Sequence, residues 1–348
     1  MNTFFLEFRD PLFSVIIFFA LIFIITFLSY WWGRYKRKED SKHLNKFLRQ
    51  FKKLPSKDEI SGLISKGELS QKSWLILANS YYKSGDYDKA IDIYNEILNL
   101  SNSVDQKETM YLLGKTYFKA GFLERSKQIF LQILKKHPRT PQALESLLLI
   151  YEYMKDYKAA LEVLEPLDEL NKDISCETNY LNSLILLGDR NIADNEKAQE
   201  LVKRYKESHQ LSYMVFEYLF RIDPKLAWKN FDSSKTAAMV DLFWNLEAKD
   251  LDLDIISANS YLRDLYTARG DVELSTKSTV FELDVLINLD SNVNATLTFE
   301  YVCNSCKQVY PFAFNRCSSC HEIDTIEVEF LLAKDLYKDF VMENNSFV

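Results

Sequence analysis

Two Cys-x-x-Cys pairs close to the C-terminus have the residue type and spacing of a metal site. They fall in residues 301–327, YVCNSCKQVYPFAFNRCSSCHEIDTIE, as Cys303/Cys306 and Cys317/Cys320, with ten residues between the pairs. Each pair closes a tight knuckle that aims two sulfurs at one point. The intervening segment is long enough for a β-hairpin that brings the knuckles together. Four thiolates in a tetrahedron suit Zn²⁺ or a single iron, and the spacing does not separate the two. So short a segment cannot bury enough apolar surface to fold unaided, so metal binding would supply its folding free energy. Tyr310, Phe312 and Phe314 alternate along it and are expected to cover one face of the hairpin. Two disulfides or four unrelated thiols are the alternatives. The paired spacing argues against chance, and the topology inferred below puts the segment in reducing cytosol, where disulfides are rare.

Other reactive chemistry is sparse. Cys176 has no local mate and reads as a small core residue rather than a nucleophile. His43, His137, His209 and His321 show no catalytic spacing, and His321, directly after Cys320, reads as knuckle surface rather than a substitute ligand. There is no Gly-rich phosphate loop, Gly-x-Ser-x-Gly or His-Glu-x-x-His, so no enzyme is expected. The net charge of −7 speaks against nucleic acid as a partner. The ribbon itself sets only Lys307 and Arg316 against Glu322, Asp324 and Glu327, which makes no phosphate-binding patch.

Eight Gly and seven Pro in 348 residues, beside 20 Tyr and 24 Phe, fit a helix-rich chain with short loops. Residues 12–32, LFSVIIFFALIFIITFLSYWW, run 21 residues without a charge, the length of a membrane-spanning helix. Tyr30, Trp31 and Trp32 make an interfacial belt at one end. A cleavable signal would need a basic start and a small-residue cleavage site, and neither is present. Arg9 alone precedes the span, whereas Arg34, Lys36, Arg37 and Lys38 follow it, so residues 33 onward are expected in the cytoplasm and the N-terminus outside. A polar stretch over 36–57, with Leu44, Phe47, Leu48 and Phe51 at helical spacing, then leads to Pro55 and a possible N-cap at Ser56.

A period follows. Trp74, Leu77, Ala78, Tyr81, Gly85, Tyr87, Ala90, Tyr94 and Ile97 match the tetratricopeptide pattern, in which large residues of one helix meet a small residue of the next across a Gly turn. Leu113, Gly114, Tyr117, Gly121, Leu123, Ser126, Phe130, Ile133 and Pro138 repeat it, and Leu147, Leu148, Tyr151, Tyr157, Ala160, Leu164 and Leu167 give a third unit. Lys155 stands at the turn where the others have Gly; the turns recur after 36 and then 34 residues. A degenerate region follows. Tyr180, Leu181, Leu184 and Gly188 begin a fourth unit with a second helix around 198–205; Tyr218, Ala227 and Phe231 mark a fifth, and helices are expected over 237–247 and 255–268. Projecting the pattern places Leu75, Asn79, Tyr82, Lys83, Tyr111, Lys115, Phe118, Lys119, Leu149, Glu152 and Tyr153 on the first-helix face. Aromatics interleaved with lysines there could hold an acidic, partly apolar peptide, the alternative being an ordinary solvated groove.

Span, repeats and Cys₄ ribbon, in that order, resemble the lipopolysaccharide assembly protein B family. The likeness is clearest at 107–170 and at 301–327, where the family has the same two Cys-x-x-Cys pairs at the same separation. It implies a rubredoxin-type site with Cys303, Cys306, Cys317 and Cys320 as ligands of one metal ion, Zn or Fe. Lys307 replaces the family's Gly after the first pair, at a position expected to need positive φ; Asn315 and Ser318 replace its Trp and Pro. The resemblance further implies a non-enzymatic inner-membrane adaptor. Such an adaptor links an FtsH-type membrane protease to the deacetylase that commits precursors to lipid A, with the ribbon packed on the repeats. The fold class expected is all-α: an N-terminal transmembrane helix, a tetratricopeptide-repeat α-solenoid and a small C-terminal Cys₄ rubredoxin-like or zinc-ribbon β domain. Its boundaries are 1–33 for the anchor, 34–57 for a basic helical linker, 58–292 for the repeats, 297–330 for the ribbon and 331–348 for a tail. A general membrane-tethered scaffold for another envelope assembly and a redox or metal sensor are the alternative functions. The groove's client and the oligomeric state, a homo-oligomer included, stay open.

Overall fold

The computed structural model describes residues 21–24, 27, 62, 71–100, 106–289 and 295–334. Within it Leu21 to Ile24 and Phe27 are helical and exposed. Among the described residues no helix is long and apolar enough to cross a membrane. The span expected over 12–32, the linker over 34–57 with its cap at Ser56, and most of the tail over 331–348 lie outside the described residues. The chain divides into two compact units, Met1–Ser146 and Leu147–Val348, and the boundary falls within one helix.

In the first unit the period becomes helix pairs: α1 (Gln71–Ser84) with α2 (Tyr87–Leu100), then α3 (Gln106–Lys119) with α4 (Leu123–Lys136), then the start of α5 (Pro141–Tyr153). Trp74, Leu77 and Ala78 of α1 close on Ala90, Ile93, Tyr94 and Ile97 of α2, with Leu113 and Tyr117 of α3 in the same core. The second pair meets even more closely. A Cβ on Gly114 would lie 2.9 Å from Phe130 Cζ, and the buried Ser126 Oγ donates to the Gly114 carbonyl at 2.7 Å. Only a residue without a side chain lets α3 and α4 approach so far.

The second unit continues with α6 (Tyr157–Glu169), α7 (Ser175–Gly188), α8 (Asp194–Ser208), α9 (Ser212–Ile222) and α10 (Pro224–Asn230). The turn before α6 is the third copy of one design. Gly85 N, Gly121 N and Lys155 N donate to the carbonyls of Tyr82, Phe118 and Glu152, and the next N–H in each case reaches one residue further back. All three pivot residues are left-handed, at φ 85°, 82° and 59°. Lys155 therefore holds a conformation that costs an L side chain about 1–2 kcal/mol, and Gly gives back part of that gain through its looser unfolded chain. Lys155→Gly is expected to raise the urea midpoint by the equivalent of about 0.5–1 kcal/mol, with Lys155→Ala giving no such gain.

Beyond α8 the pattern parts from the expected helix pairs. Asp223 caps α10, its Oδ1 accepting from Leu226 N at 3.0 Å, and Pro224 opens the helix directly, so α9 and α10 are joined without a repeat turn. Phe231 lies past α10 and joins a cluster of rings with Phe216, Phe220, Trp228 and Phe243 at centroid distances of 4.9–6.5 Å. The helix expected over 237–247 is a 3₁₀ turn, Ser233–Met239, followed by the short α11 (Val240–Trp244). The one expected over 255–268 is cut into α12 (Leu253–Ala258) and α13 (Ser260–Arg269). Asn259 makes that cut: its backbone is extended at φ −105°, ψ 119°, and its side chain accepts from Leu262 N at 3.1 Å as the cap of α13. Helix α14 (Phe281–Ile287) completes the helices among the described residues.

The C-terminal strands form a three-stranded antiparallel sheet in the order β2-β1-β3, with β1 Ala295–Cys303, β2 Val309–Tyr310 and β3 Ile326–Lys334. The expected hairpin between the knuckles shrinks to the two-residue β2, paired through Tyr301↔Tyr310 and Val302↔Val309. The long partner of β1 comes instead from beyond the second knuckle, in nine pairs from Cys303↔Ile326 to Ala295↔Lys334. Residues 331–334, expected in the tail, are thus strand. The aromatics do not share one covered face. Tyr310 and Phe314 pack edge to face at 4.9 Å, whereas Phe312 is 78% exposed.

Candidate metal centre and its mounting

The two knuckles are built alike. Cys303 N donates to the Gln308 carbonyl and Lys307 N to the Cys303 carbonyl; Cys317 N donates to the Glu322 carbonyl and His321 N to the Cys317 carbonyl. In each knuckle the residue after the second cysteine is left-handed, Lys307 at φ 58° and His321 at φ 66°. The positive φ expected at Lys307 is present. His321 has the same backbone role in the second knuckle.

The knuckles face each other across the sulfurs. Cys303 Sγ lies 3.6 Å from Cys320 Sγ, and Cys306 Sγ lies 3.6 Å from Cys317 Sγ. All four Sγ atoms fall within 4.8 Å of one another. Bonds of about 2.3 Å from a tetrahedral zinc to four thiolates separate neighbouring sulfurs by about 3.8 Å, so the donor set fits such an ion in number, type and spacing. No pair is at the ~2.05 Å of a disulfide, and the cysteines are free thiols. Burial works to raise the Cys317 thiol, but N–H groups of Cys320 and Ser319 and the Tyr310 hydroxyl outweigh it and bring the pKa down to about 6. Cys303 is likewise lowered against its burial, first by the Thr325 hydroxyl and then by N–H groups of its own knuckle. Backbone and hydroxyl donors thus favour the thiolate at these two sulfurs, whereas burial and the neighbouring cysteine sulfurs push the Cys320 thiol up to about 12. Cys176 is raised too: burial and the nearby Asp324 and Glu177 push it up to about 11.

Three carboxylate sites fasten the sheet to helices of the same unit. The first holds Arg316, whose side chain is only 7% exposed. Its Nη1 and Nη2 donate to Glu177 Oε1 and Oε2 at 3.0 and 2.6 Å, and Nε lies 2.7 Å from Glu152 Oε2. The guanidinium sits 5.2 Å above the Tyr180 ring, and the Tyr180 hydroxyl donates to Glu152 Oε1 at 3.0 Å. Nη1 also donates to the His321 carbonyl at 2.8 Å. Arg316 therefore grips both ends of the second knuckle, through its own backbone before Cys317 and through His321 after Cys320. Burial works against its charge, but Glu177 and Glu152 overcome that and raise its pKa. At the second site Asp324 Oδ2 accepts from Leu211 N at 2.8 Å. At the third, buried Asp241 accepts from Tyr213 of α9 and, at 2.9 Å, from Tyr301 of β1.

The groove candidates are distributed over both units. In the first, Leu75, Asn79, Tyr82, Tyr111 and Phe118 are half-buried, and Lys83, Lys115 and Lys119 are exposed. Tyr111 lines a cavity of about 280 Å³ with Lys107, Glu108, Ile133, Thr140 and Gln142, and is the one candidate that does. In the second unit Leu149 is half-buried and Tyr153 is 53% exposed. Glu152 is committed to Arg316 and Tyr180 inside the chain. In the sequence Arg316 counts only as one of two ribbon cations, with Lys307, set against Glu322, Asp324 and Glu327. Its place directly before Cys317 was the available signal, but its two carboxylate partners lie 139 and more residues away.

Comparison with known proteins agrees with the repeats. Residues 71–103 and 111–169 each match a family model described as "Tetratricopeptide repeat". A stretch of 70 residues is 37% identical to the photosystem I assembly protein Ycf3 of Prochlorococcus marinus subsp. pastoris, covering 20% of this chain and 40% of the length of that relative. Among solved structures, MamA 41-end from Desulfovibrio magneticus RS-1 aligns at TM-score 0.37 and 20% identity, over 48% of this chain and 93% of its own. A tetratricopeptide repeat protein from Parabacteroides merdae aligns at TM-score 0.37 and 12% identity, over 62% and 96%. Residues 71–103 and 111–169 are thus tetratricopeptide repeats, a motif that suggests a protein–protein interaction scaffold.

Proposed function

We propose that the chain is a membrane-anchored, non-enzymatic adaptor that recruits a protein client to the cytoplasmic face of the inner membrane. In this reading the apolar run over 12–32 spans the bilayer once, with the N-terminus outside, and the repeats and ribbon face the cytoplasm. Tyr82, Lys83, Tyr111, Lys115, Phe118 and Lys119, on the first helices of two repeats, offer aromatics and cations to an acidic, partly apolar segment. By resemblance to lipopolysaccharide assembly protein B, the partners are an FtsH-type protease and the lipid A-committing deacetylase, and the outcome is control of lipopolysaccharide synthesis. One metal ion, zinc or iron, at Cys303, Cys306, Cys317 and Cys320 serves as a structural staple.

The observation that carries this reading is the buried contact of Arg316 with Glu152 and Glu177. It fastens the ribbon to helices of its own unit, as an adaptor with a structural ribbon requires. Purification of the full chain from membranes tests it. Recovery of the protease and deacetylase, with a longer deacetylase half-life in a deletion strain, is the expected result. An unchanged half-life together with a secretion or cell-division complex on the bait would assign the scaffold to another envelope machine.

A further inference from the structure

Each knuckle has one inner and one outer sulfur. Cys303 and Cys317 are fully buried, Cys306 is exposed and Cys320 half-buried. Each inner sulfur has a side-chain hydroxyl beside it: Thr325 Oγ1 lies 3.2 Å from Cys303 Sγ, and Tyr310 Oη lies 3.1 Å from Cys317 Sγ. Both hydroxyls are held in place from elsewhere. Tyr310 is fixed on β2 opposite Tyr301, and its ring packs edge to face on Phe314. The Thr325 carbonyl accepts from Asn304 N at 2.7 Å, which ties it to the residue after Cys303.

Four thiolates around a divalent ion carry excess negative charge. The outer pair can share it with water, but the buried pair has only protein donors. A thiolate cannot donate, so with the sulfurs ionised the two hydroxyls must be the donors. Partners of metal ligands set ligand orientation and basicity.

We propose that Tyr310 and Thr325 are positioning residues of the metal centre. They donate to the two buried thiolates, hold charge there and slow loss of the ion. The proposal rests on the reading of the four cysteines as a metal site. It is tested on the full chain, with zinc contested by a chromophoric chelator and with the iron-loaded form examined by voltammetry. Tyr310→Phe and Thr325→Val should each loosen zinc about tenfold, and the double variant more. Thr325→Ser, which keeps the hydroxyl, should hold zinc like the parent. In the iron form the two hydroxyl deletions should lower the reduction potential and Thr325→Ser should not. Parent-like zinc retention and potential in both deletions overturn the proposal alone, as does a Thr325→Ser protein as weak as Thr325→Val. A parent protein that binds neither ion overturns the metal reading and the proposal together.

Discussion

Removal of the metal, by chelator or by Cys317→Ser, is expected to unfold the sheet of β1, β2 and β3 while leaving α1 to α4 helical. The strands offer little core of their own. Leu297, Val302 and Val328 are their buried aliphatic residues, with Ile323 and the two inner cysteines beside them. A segment this small does not hold together on such burial alone, and a structural zinc supplies about 10–16 kcal/mol of apparent binding free energy that is also folding free energy. The first unit has its own core around Trp74, Ala78, Ala90, Tyr94 and Leu113 and owes nothing to the sulfurs. Limited proteolysis read by mass spectrometry checks this. Chelator should open cuts within 295–334 and spare 71–100 and 106–136. Equal protection of 295–334 with and without metal would show that packing on the helices suffices.

Arg316→Met is expected to be the most damaging single change outside the thiols. It leaves Glu152 and Glu177 without their cation in a site where Glu152 is already pushed upward, first by burial, with Arg316 and Tyr180 opposing. Breaking one side of a buried ion pair costs about 3–5 kcal/mol, because the orphaned charge stays desolvated. For a unit of this size that is a fall in Tm of roughly 10 °C. The cost should be largely recovered when Glu152→Gln and Glu177→Gln are added, since the deficit is unpaired charge rather than lost packing. Denaturant unfolding of the single, double and triple variants measures it. A loss below about 1 kcal/mol for Arg316→Met would mean that the pair is worth no more than a surface bridge.

Local chemistry was legible in the sequence. The Cys-x-x-Cys spacing placed four sulfurs in one cluster, and the period of 36 and 34 residues placed Gly85, Gly121 and Lys155 at equivalent turns. Both signals depend on a few neighbouring residues with strong geometric demands. The positive φ of Lys307 was expected only through the resemblance to a family with Gly at that position. What the sequence hid was long-range. The partner strand of β1 was masked by the shorter hairpin that the same residues allow, and Asn259 gave no sign that it would end one helix and cap the next. Glu152 has the helix position of a groove residue, yet its partner is an arginine from the ribbon. A charged residue on an exposed-looking face carries no mark of the distant segment that will bury it.

The most direct test of the central claim is metal content measured with thiol reactivity on the full-length protein purified from membranes under non-reducing conditions. One zinc or iron per chain is expected. Cys303, Cys306, Cys317 and Cys320 should become open to alkylation only after chelation. A metal-free protein whose four sulfurs are joined in two disulfides would contradict the metal centre, and with it the cytoplasmic placement on which the adaptor role depends.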